Sequence, residues 1–109
     1  MKFRLTALLM AAACAWMPAN TFALDHYGKT IQKIEVAQAS CHYFMLNGVY
    51  EADPVVPNSP WFAISTSHTH ARELYSMLLT ARASGMALDR VKTTGNVVCG
   101  HAEVTLIAF

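Results

Sequence analysis

Residues 60–85 read PWFAISTSHTHARELYSMLLTARASG, and this stretch decides the predicted fold. Its first five residues form a short apolar run typical of a β-strand, and Ser65, Thr66 and Ser67 then offer competent helix N-caps. Gly85 is a C-terminal signal, so one amphipathic helix of about five turns is predicted in between. The apolar positions of this helix are Ala71, Leu74, Tyr75, Met77, Leu78 and Ala81.

The segments before this helix have the character of strands. Residues 29–38 alternate imperfectly between apolar and polar side chains, and residues 42–50 are rich in aromatic and β-branched side chains around Asn47-Gly48. We predict two strands here, the second reaching a turn or bulge at Asn47-Gly48. Residues 51–60 contain three prolines and two acids, which predicts a loop.

Two further strands are predicted after the helix, over residues 86–91 and 103–109, with turn chemistry at Thr93-Thr94-Gly95-Asn96. The resulting order is β-β-β-α-β-β, a mainly β chain with one helix. This order is that of an OB-fold, a partly open five-stranded barrel. An α+β sandwich with the same order is the alternative.

The start of the chain resembles an export signal. A basic start is followed by an apolar stretch over residues 5–17, and Thr21-Phe22-Ala23 places small residues where a signal peptidase cleaves. We therefore predict a signal peptide over residues 1–23 and a single domain over residues 24–109. The apolar stretch is shorter than the roughly 20 residues that a membrane-spanning helix needs. Cys14 offers an alternative, as the lipidated cysteine of a lipobox.

Export to the periplasm or the exterior bears on the two remaining cysteines, Cys41 and Cys99, because that environment is oxidising. We predict a disulfide between them. The competing interpretation, a thiolate nucleophile or metal ligand, requires reduced thiols.

The composition limits the classes of partner. Residues 24–109 carry six basic and seven acidic side chains, for a formal charge of −1, so they present no basic field for nucleic acid. The whole chain is 54% hydrophobic and only 14% charged. A surface so poor in charge favours a homo-oligomer, and the extra apolar positions on the helix, such as Leu79, suggest helix-to-helix contacts between subunits or else a larger monomeric core.

The sequence resembles the pentameric B subunits of bacterial toxins of the subtilase-cytotoxin and typhoid-toxin type. The resemblance covers most of residues 24–109. It rests on Ile31, Ile34, Val36, Gln38, Tyr43, Phe44, Trp61, Leu74, Leu78, Ala81, Ser84 and Gly85.

This resemblance implies an OB-fold, a ring of five subunits, binding of sialylated glycans and an enzymatic A subunit as partner. The chain departs from the family at two places. Tyr27 stands where the family keeps a serine that holds the sialic acid carboxylate, and Met45 aligns with a family cysteine, so that Cys41 would be a displaced bridge.

Five histidines in residues 24–109 raise the question of a metal site. His68 and His70 are two residues apart, which suits zinc or copper in a strand, but at a helix start their side chains face different ways. His42 and His101 lie next to or near the cysteines. Exposed polar residues are the favoured interpretation, and a histidine-based metal binder is kept as an alternative; no cofactor is predicted.

No local signature of catalysis is present, and we predict that the protein is not an enzyme. Glu51 and Asp53 could act as acid and base, but a solvated loop edge is the favoured interpretation. His101 and Glu103 could pair on one face of the last strand.

Aromatic side chains commonly bind sugars by stacking on their apolar faces. Tyr27 and Tyr50 lie in polar, turn-rich sequence and are the predicted ligand-binding residues, whereas Trp61 is expected in the core. The predicted function is a non-catalytic glycan-binding module. A small envelope protein that binds a protein partner is the main alternative.

Overall fold

A computed structural model of the chain describes residues 23–36 and 40–109. Residues 1–22 of the predicted export segment, with Cys14, lie outside the described residues, as does Gln38.

The described residues form six strands and one helix in a single mixed sheet. The sheet order is β1-β5-β6-β4-β3-β2, and all neighbours are antiparallel except β4 and β6, which are parallel. The prediction of a mainly β chain with one helix is confirmed. The elements are β1 (Asp25–Lys29), β2 (Ile31–Val36), β3 (Cys41–Leu46), β4 (Phe62–Ser65), α1 (Ala71–Ser84), β5 (Leu88–Val98) and β6 (His101–Ala108).

The strand count differs from the predicted five because β1 was missed. This strand reads DHYGK and has no run of apolar side chains. Its pairing with β5, in which His26 lies opposite Val91, is what defines it as a strand. Only Thr30 separates β1 from β2, and the two strands lie at opposite ends of the sheet order.

The hairpin between β5 and β6 turns later than predicted. The two-residue turn is Cys99-Gly100, and both residues have positive φ, 52° and 80°, as a type I′ turn requires. The predicted turn at Thr93–Asn96 instead lies within β5. Gly95, with φ 88°, occupies a shift of register between Thr93 and Val97, so it serves a bulge rather than a turn.

The helix begins later than the predicted caps. His70 is its N-cap residue and makes no capping bond through its side chain, and the 14 residues of α1 make about four turns. Ser65 and Ser67 bond each other, Oγ to Oγ, at 2.8 Å. The predicted end is confirmed, since Gly85 adopts φ 71° and donates its backbone N–H to the Ala81 carbonyl.

The core lies between α1 and the inner face of the sheet. Phe44 and Phe62 stack with their ring centroids 4.8 Å apart. The predicted apolar face of α1 is confirmed: four of its residues are buried, and Tyr75 and Met77 pack against the core as flanking side chains. Arg82 Nη1 also donates to the Ile31 carbonyl at 3.1 Å, which ties the helix to β2.

The predicted disulfide is present. Cys41 on β3 is bonded to Cys99 in the turn after β5, with the two Cα atoms 6.5 Å apart. Such bonds persist in oxidising compartments, which is compatible with a protein outside the cytoplasm. In the part of the chain that the structure describes, no helix has the length and hydropathy to cross a membrane.

Candidate functional site

Tyr27 lies on an exposed part of β1 beside charged groups. Its side chain is 61% exposed, and in the antiparallel register it faces Arg90, while Asp25 faces Lys92. Arg90 Nε donates to Asp25 Oδ1 at 2.9 Å, diagonally across the two strands. We call these four residues the Tyr27 surface. It combines an accessible aromatic ring with two cations and one carboxylate.

The ion pair in the Tyr27 surface changes the titration of both partners. The hydrogen bond from Arg90 holds the pKa of Asp25 below its ordinary value, and the charges of Arg90 and Lys92 and the Tyr27 hydroxyl act in the same direction. The same hydrogen bond raises the pKa of Arg90 further. Both groups are therefore charged across the physiological range. The carboxylate of a ligand could displace Asp25 from its ion pair with Arg90.

Tyr50, the second predicted ligand-binding residue, is 83% exposed in the loop after β3. The loop touches β1 two residues further on, where His26 Nε2 donates to the Ala52 carbonyl at 2.7 Å. No ring contact between Tyr27 and Tyr50 is found among the described residues. The structure exposes both side chains as predicted but does not join them in one site.

A cavity at the start of α1 was not anticipated from sequence. It has a volume of about 520 Å³ and is lined by β3, by the segment before the helix and by the first helical turns. His42 forms one wall and stacks on Tyr75, with centroids 4.2 Å apart. The other lining residues are Thr66, His68, Thr69, Ala71, Arg72 and Glu73.

Local geometry explains how the cavity forms. The Nδ1 atom of His68 accepts the backbone N–H of His70 at 2.9 Å, so His68 orders the turn that precedes the helix. His42 lies on the same face of β3 as the core residues Phe44 and Leu46, which points its ring toward Tyr75 on α1. The signal in the sequence was a histidine in an apolar strand, but its partner lies 33 positions away and could not be identified by spacing.

Trp61 belongs to an aromatic cluster rather than to the core, so its expected place was wrong. The centroid of its ring lies 6.5 Å from that of Tyr43 and 6.1 Å from that of His101. All three side chains are half-buried. Lys33 Nζ lies 5.7 Å from the Trp61 ring centroid, within range of a cation–π interaction. The three aromatic side chains therefore lie on the sheet surface and remain partly accessible to solvent.

The histidines do not converge on a metal. Among residues 23–36 and 40–109, no three His, Cys, Asp or Glu side chains are placed to hold an ion. The rings of His68 and His70 are 6.2 Å apart and tilted by 52°. In the same described ranges His101 forms no ion pair with Glu103, whose Oε1 accepts the Thr94 hydroxyl at 2.8 Å.

The prediction of a solvated loop edge was wrong for Asp53. Its side chain is completely buried and accepts a hydrogen bond from the Thr93 hydroxyl. Glu51 is half-buried, and its Oε2 accepts the backbone N–H of Asn58 at 3.0 Å. The two carboxylates thus have different surroundings and separate structural roles.

Comparisons of the chain with family models, with curated proteins and with solved structures gave no match.

Proposed function

We propose that this protein is an exported, non-catalytic glycan-binding module, similar to a toxin B subunit, and that it binds an acidic sugar at the Tyr27 surface. The observation that carries this proposal is the exposed Tyr27 ring in register with Arg90, next to the Asp25 carboxylate. A sialylated glycan supplies both groups that such a surface recognises, a carboxylate and an apolar sugar face.

Each group in the Tyr27 surface has a distinct task. The Tyr27 ring stacks on the apolar face of a sugar. Arg90 offers a planar guanidinium that can bind a carboxylate, and Lys92 adds a second positive charge opposite Asp25. Asp25 accepts hydrogen bonds from sugar hydroxyls, or gives up Arg90 to the incoming carboxylate.

The sheet order supports an OB-fold-like barrel as part of this proposal. β1 and β2 are consecutive in the chain, with Thr30 alone between them, yet they occupy the two ends of the sheet order. If β1 and β2 are two halves of one bent strand, the first and last strands of the sheet order are the same strand, and the sheet closes on itself. The barrel then has five strands: this bent strand and β3, β4, β5 and β6. The helix between β4 and β5 then has the place that the OB-fold gives it.

A ring of subunits follows from the same resemblance, and exposed apolar side chains support it. Several large apolar side chains remain on the surface of the single chain, including Leu79 on α1, which is 46% exposed. Exposed apolar surface of this kind is typical of contacts between subunits. We propose a homopentamer, with an enzymatic A subunit as its partner. Among the described residues, the other large apolar side chains exposed outside the Tyr27 surface are Val36, Tyr50, Met86, Val97 and Phe109.

The decisive experiment is glycan binding by the exported protein on an array of sialylated glycans and their asialo counterparts. We expect binding that requires the sugar carboxylate. Tyr27→Ala should abolish it, Tyr27→Phe should retain most of it, and Arg90→Ala should reduce the preference for the sialylated form. Tyr50→Ala tests the second predicted ligand-binding residue in the same assay, and retained binding would confine the ligand to the Tyr27 surface.

Two results would redirect this proposal. Loss of binding in Arg72→Ala with no effect of Tyr27→Ala would move the ligand to the cavity at the start of α1. Absence of binding to every glycan would refute glycan recognition. Light scattering after size-exclusion chromatography gives the subunit number independently, and a monomer would exclude the ring.

The second candidate function is binding of a protein partner in the cell envelope, and the half-buried cluster of Trp61, Tyr43 and His101 favours it. Tryptophan and tyrosine are enriched where protein interfaces gain most of their binding energy. Crosslinking in the producing cell should capture a partner that Trp61→Ala releases and Tyr27→Ala leaves bound. If both variants retain the same partners, the aromatic cluster is not the contact surface.

A further inference from the structure

Among the described residues, Asp53 is the one acidic or basic residue that is fully buried. It lies in the proline-rich loop with no exposed surface. Its Oδ1 accepts the backbone N–H of Val55 at 2.9 Å, and its Oδ2 accepts the hydroxyl proton of Thr93, which is also buried. The carboxylate is thus held in place by two donors, neither of them charged.

Asp53 has no cationic partner among the described residues, where the one ion pair joins Asp25 to Arg90. A carboxylate that is buried without a counter-charge is costly, because the protein interior solvates a charge poorly. The nearby histidine does not bond to Asp53, since His26 Nε2 is directed at the neighbouring Ala52 carbonyl. The site therefore lacks one positive charge.

The backbone of Leu24 lies next to this site. Its nitrogen donates to Thr93 Oγ1 at 2.9 Å, and its carbonyl accepts the backbone N–H of Thr93 at 2.9 Å. The Thr93 hydroxyl accepts from Leu24 and donates to Asp53, so it connects the two groups directly. The nitrogen of Leu24 is one hydroxyl away from the buried carboxylate.

We propose that cleavage of the Ala23–Leu24 peptide bond creates the missing cation, and that the α-ammonium of Leu24 becomes the partner of Asp53 through Thr93. This inference rests on the export that the proposed function includes. Hydrolysis by a signal peptidase consumes one water, leaves a carboxylate on Ala23 and gives Leu24 an amine, which is protonated near neutral pH. The uncharged amide with one donor is thereby replaced by a cation with three donors.

The consequence is that processing and folding are coupled. Before cleavage, Asp53 is buried beside a neutral amide, whereas after cleavage it is buried beside a positive charge. The folded domain is stabilised by removal of the leader, and its new N-terminus is held against β5 rather than free in solution.

The first test uses the exported protein with its natural leader. Intact mass should correspond to residues 24–109. Limited acylation at neutral pH, followed by peptide mass analysis, should then modify the α-amine of Leu24 about tenfold more slowly than in Asp53→Asn, because a nearby opposite charge favours the unreactive protonated form. Asp25→Asn is the matched control, since it removes a half-buried carboxylate from the adjacent residue and should leave Asp53 and its protection in place.

Two further variants keep the test decisive if Asp53→Asn folds poorly. Thr93→Val removes the connecting hydroxyl at nearly constant volume and should lose the protection, while Thr93→Ser should restore it. A chain that retains one extra glycine before Leu24 should have an unfolding equilibrium constant about tenfold larger, as displacement of a partnered charge implies. That difference should vanish in the Asp53→Asn background.

A mature protein that begins at another residue would overturn the inference. So would equal acylation of Leu24 in the wild type and in both Asp53→Asn and Thr93→Val. Neither result bears on the glycan array, which tests the Tyr27 surface separately. Conversely, a protein that binds no glycan but shows the protected Leu24 amine would retain this inference and lose the proposed ligand.

Discussion

Reduction of the Cys41–Cys99 bond should destabilise the fold more than any other single chemical change. The bond joins residues 58 positions apart. The bond restricts the unfolded chain, and for a loop of this length that restriction contributes about 4 kcal/mol to the free energy of unfolding at 25 °C. Reduction removes this contribution. Domains of this size are stable by only about 5–15 kcal/mol in total, so this contribution is a large share of the whole.

The assay is urea unfolding followed by tryptophan fluorescence, with and without a phosphine reductant. Trp61 is the single tryptophan of residues 24–109 and lies against Tyr43 and His101, so its emission reports on the sheet. We expect the reduced protein to lose about 4 kcal/mol, which corresponds to a fall in Tm on the order of 20 °C for a domain of this size.

Two controls separate the crosslink from packing. Reduction preserves both sulfur atoms, whereas Cys41→Ala with Cys99→Ala also removes volume from the buried Cys41 site. The double variant should therefore be slightly less stable than the reduced wild type and insensitive to reductant. A loss below about 1 kcal/mol on reduction, with an unchanged denaturant slope, would refute the loop-closure argument.

Three other perturbations test the packing and the charges. Leu78→Ala should cost about 3 kcal/mol because the side chain is fully buried. Leu79→Ala, at a position 46% exposed in the single chain, should change the free energy of unfolding of the isolated subunit by less than about 0.5 kcal/mol, and equal effects of the two variants in urea unfolding would contradict the assigned helix face. Gly85→Ala should cost about 1 kcal/mol because φ is 71° there, and a thermal melt that shows no loss would argue against the left-handed cap. Because the pKa of Asp25 is lowered in the folded state, its pairing with Arg90 stabilises the fold above the unfolded-state pKa, and this contribution disappears as the pH falls through the lowered folded-state value. Urea unfolding of wild type and Asp25→Asn should therefore differ at neutral pH and converge in strong acid, and a difference that persists there would point to a cause other than ionisation.

The sequence alone predicted the features that depend on local spacing. The helix could be found because its apolar residues recur every three or four positions and its end is marked by Gly85. The turn after β3 could be found because Asn-Gly is a typical turn dipeptide, and Gly48 adopts φ 80° there. The disulfide followed from a count of two cysteines and an oxidising environment.

Features that depend on distant partners could not be predicted in this way. β1 has little apolar character, and its pairing with β5 joins residues 59 to 67 positions apart. The hairpin turn was placed at Gly95 because glycine and asparagine are typical of turns. The same residue types are found at bulges, and only the pairing of Val98 with His101 distinguishes the two.

The two acidic residues of the proline-rich loop show most clearly that contacts between residues distant in sequence cannot be predicted from local composition. Glu51 and Asp53 are two residues apart in one proline-rich segment, and composition gives both the same expectation of exposure. Burial of Asp53 depends on Thr93, 40 positions away, whose hydroxyl meets the carboxylate. That hydroxyl also meets Leu24, where the export signal is predicted to end. A local pattern at the start of the chain and a buried acid in a distant loop therefore indicate the same peptide bond. Neither observation alone would identify it as the place where processing and folding meet.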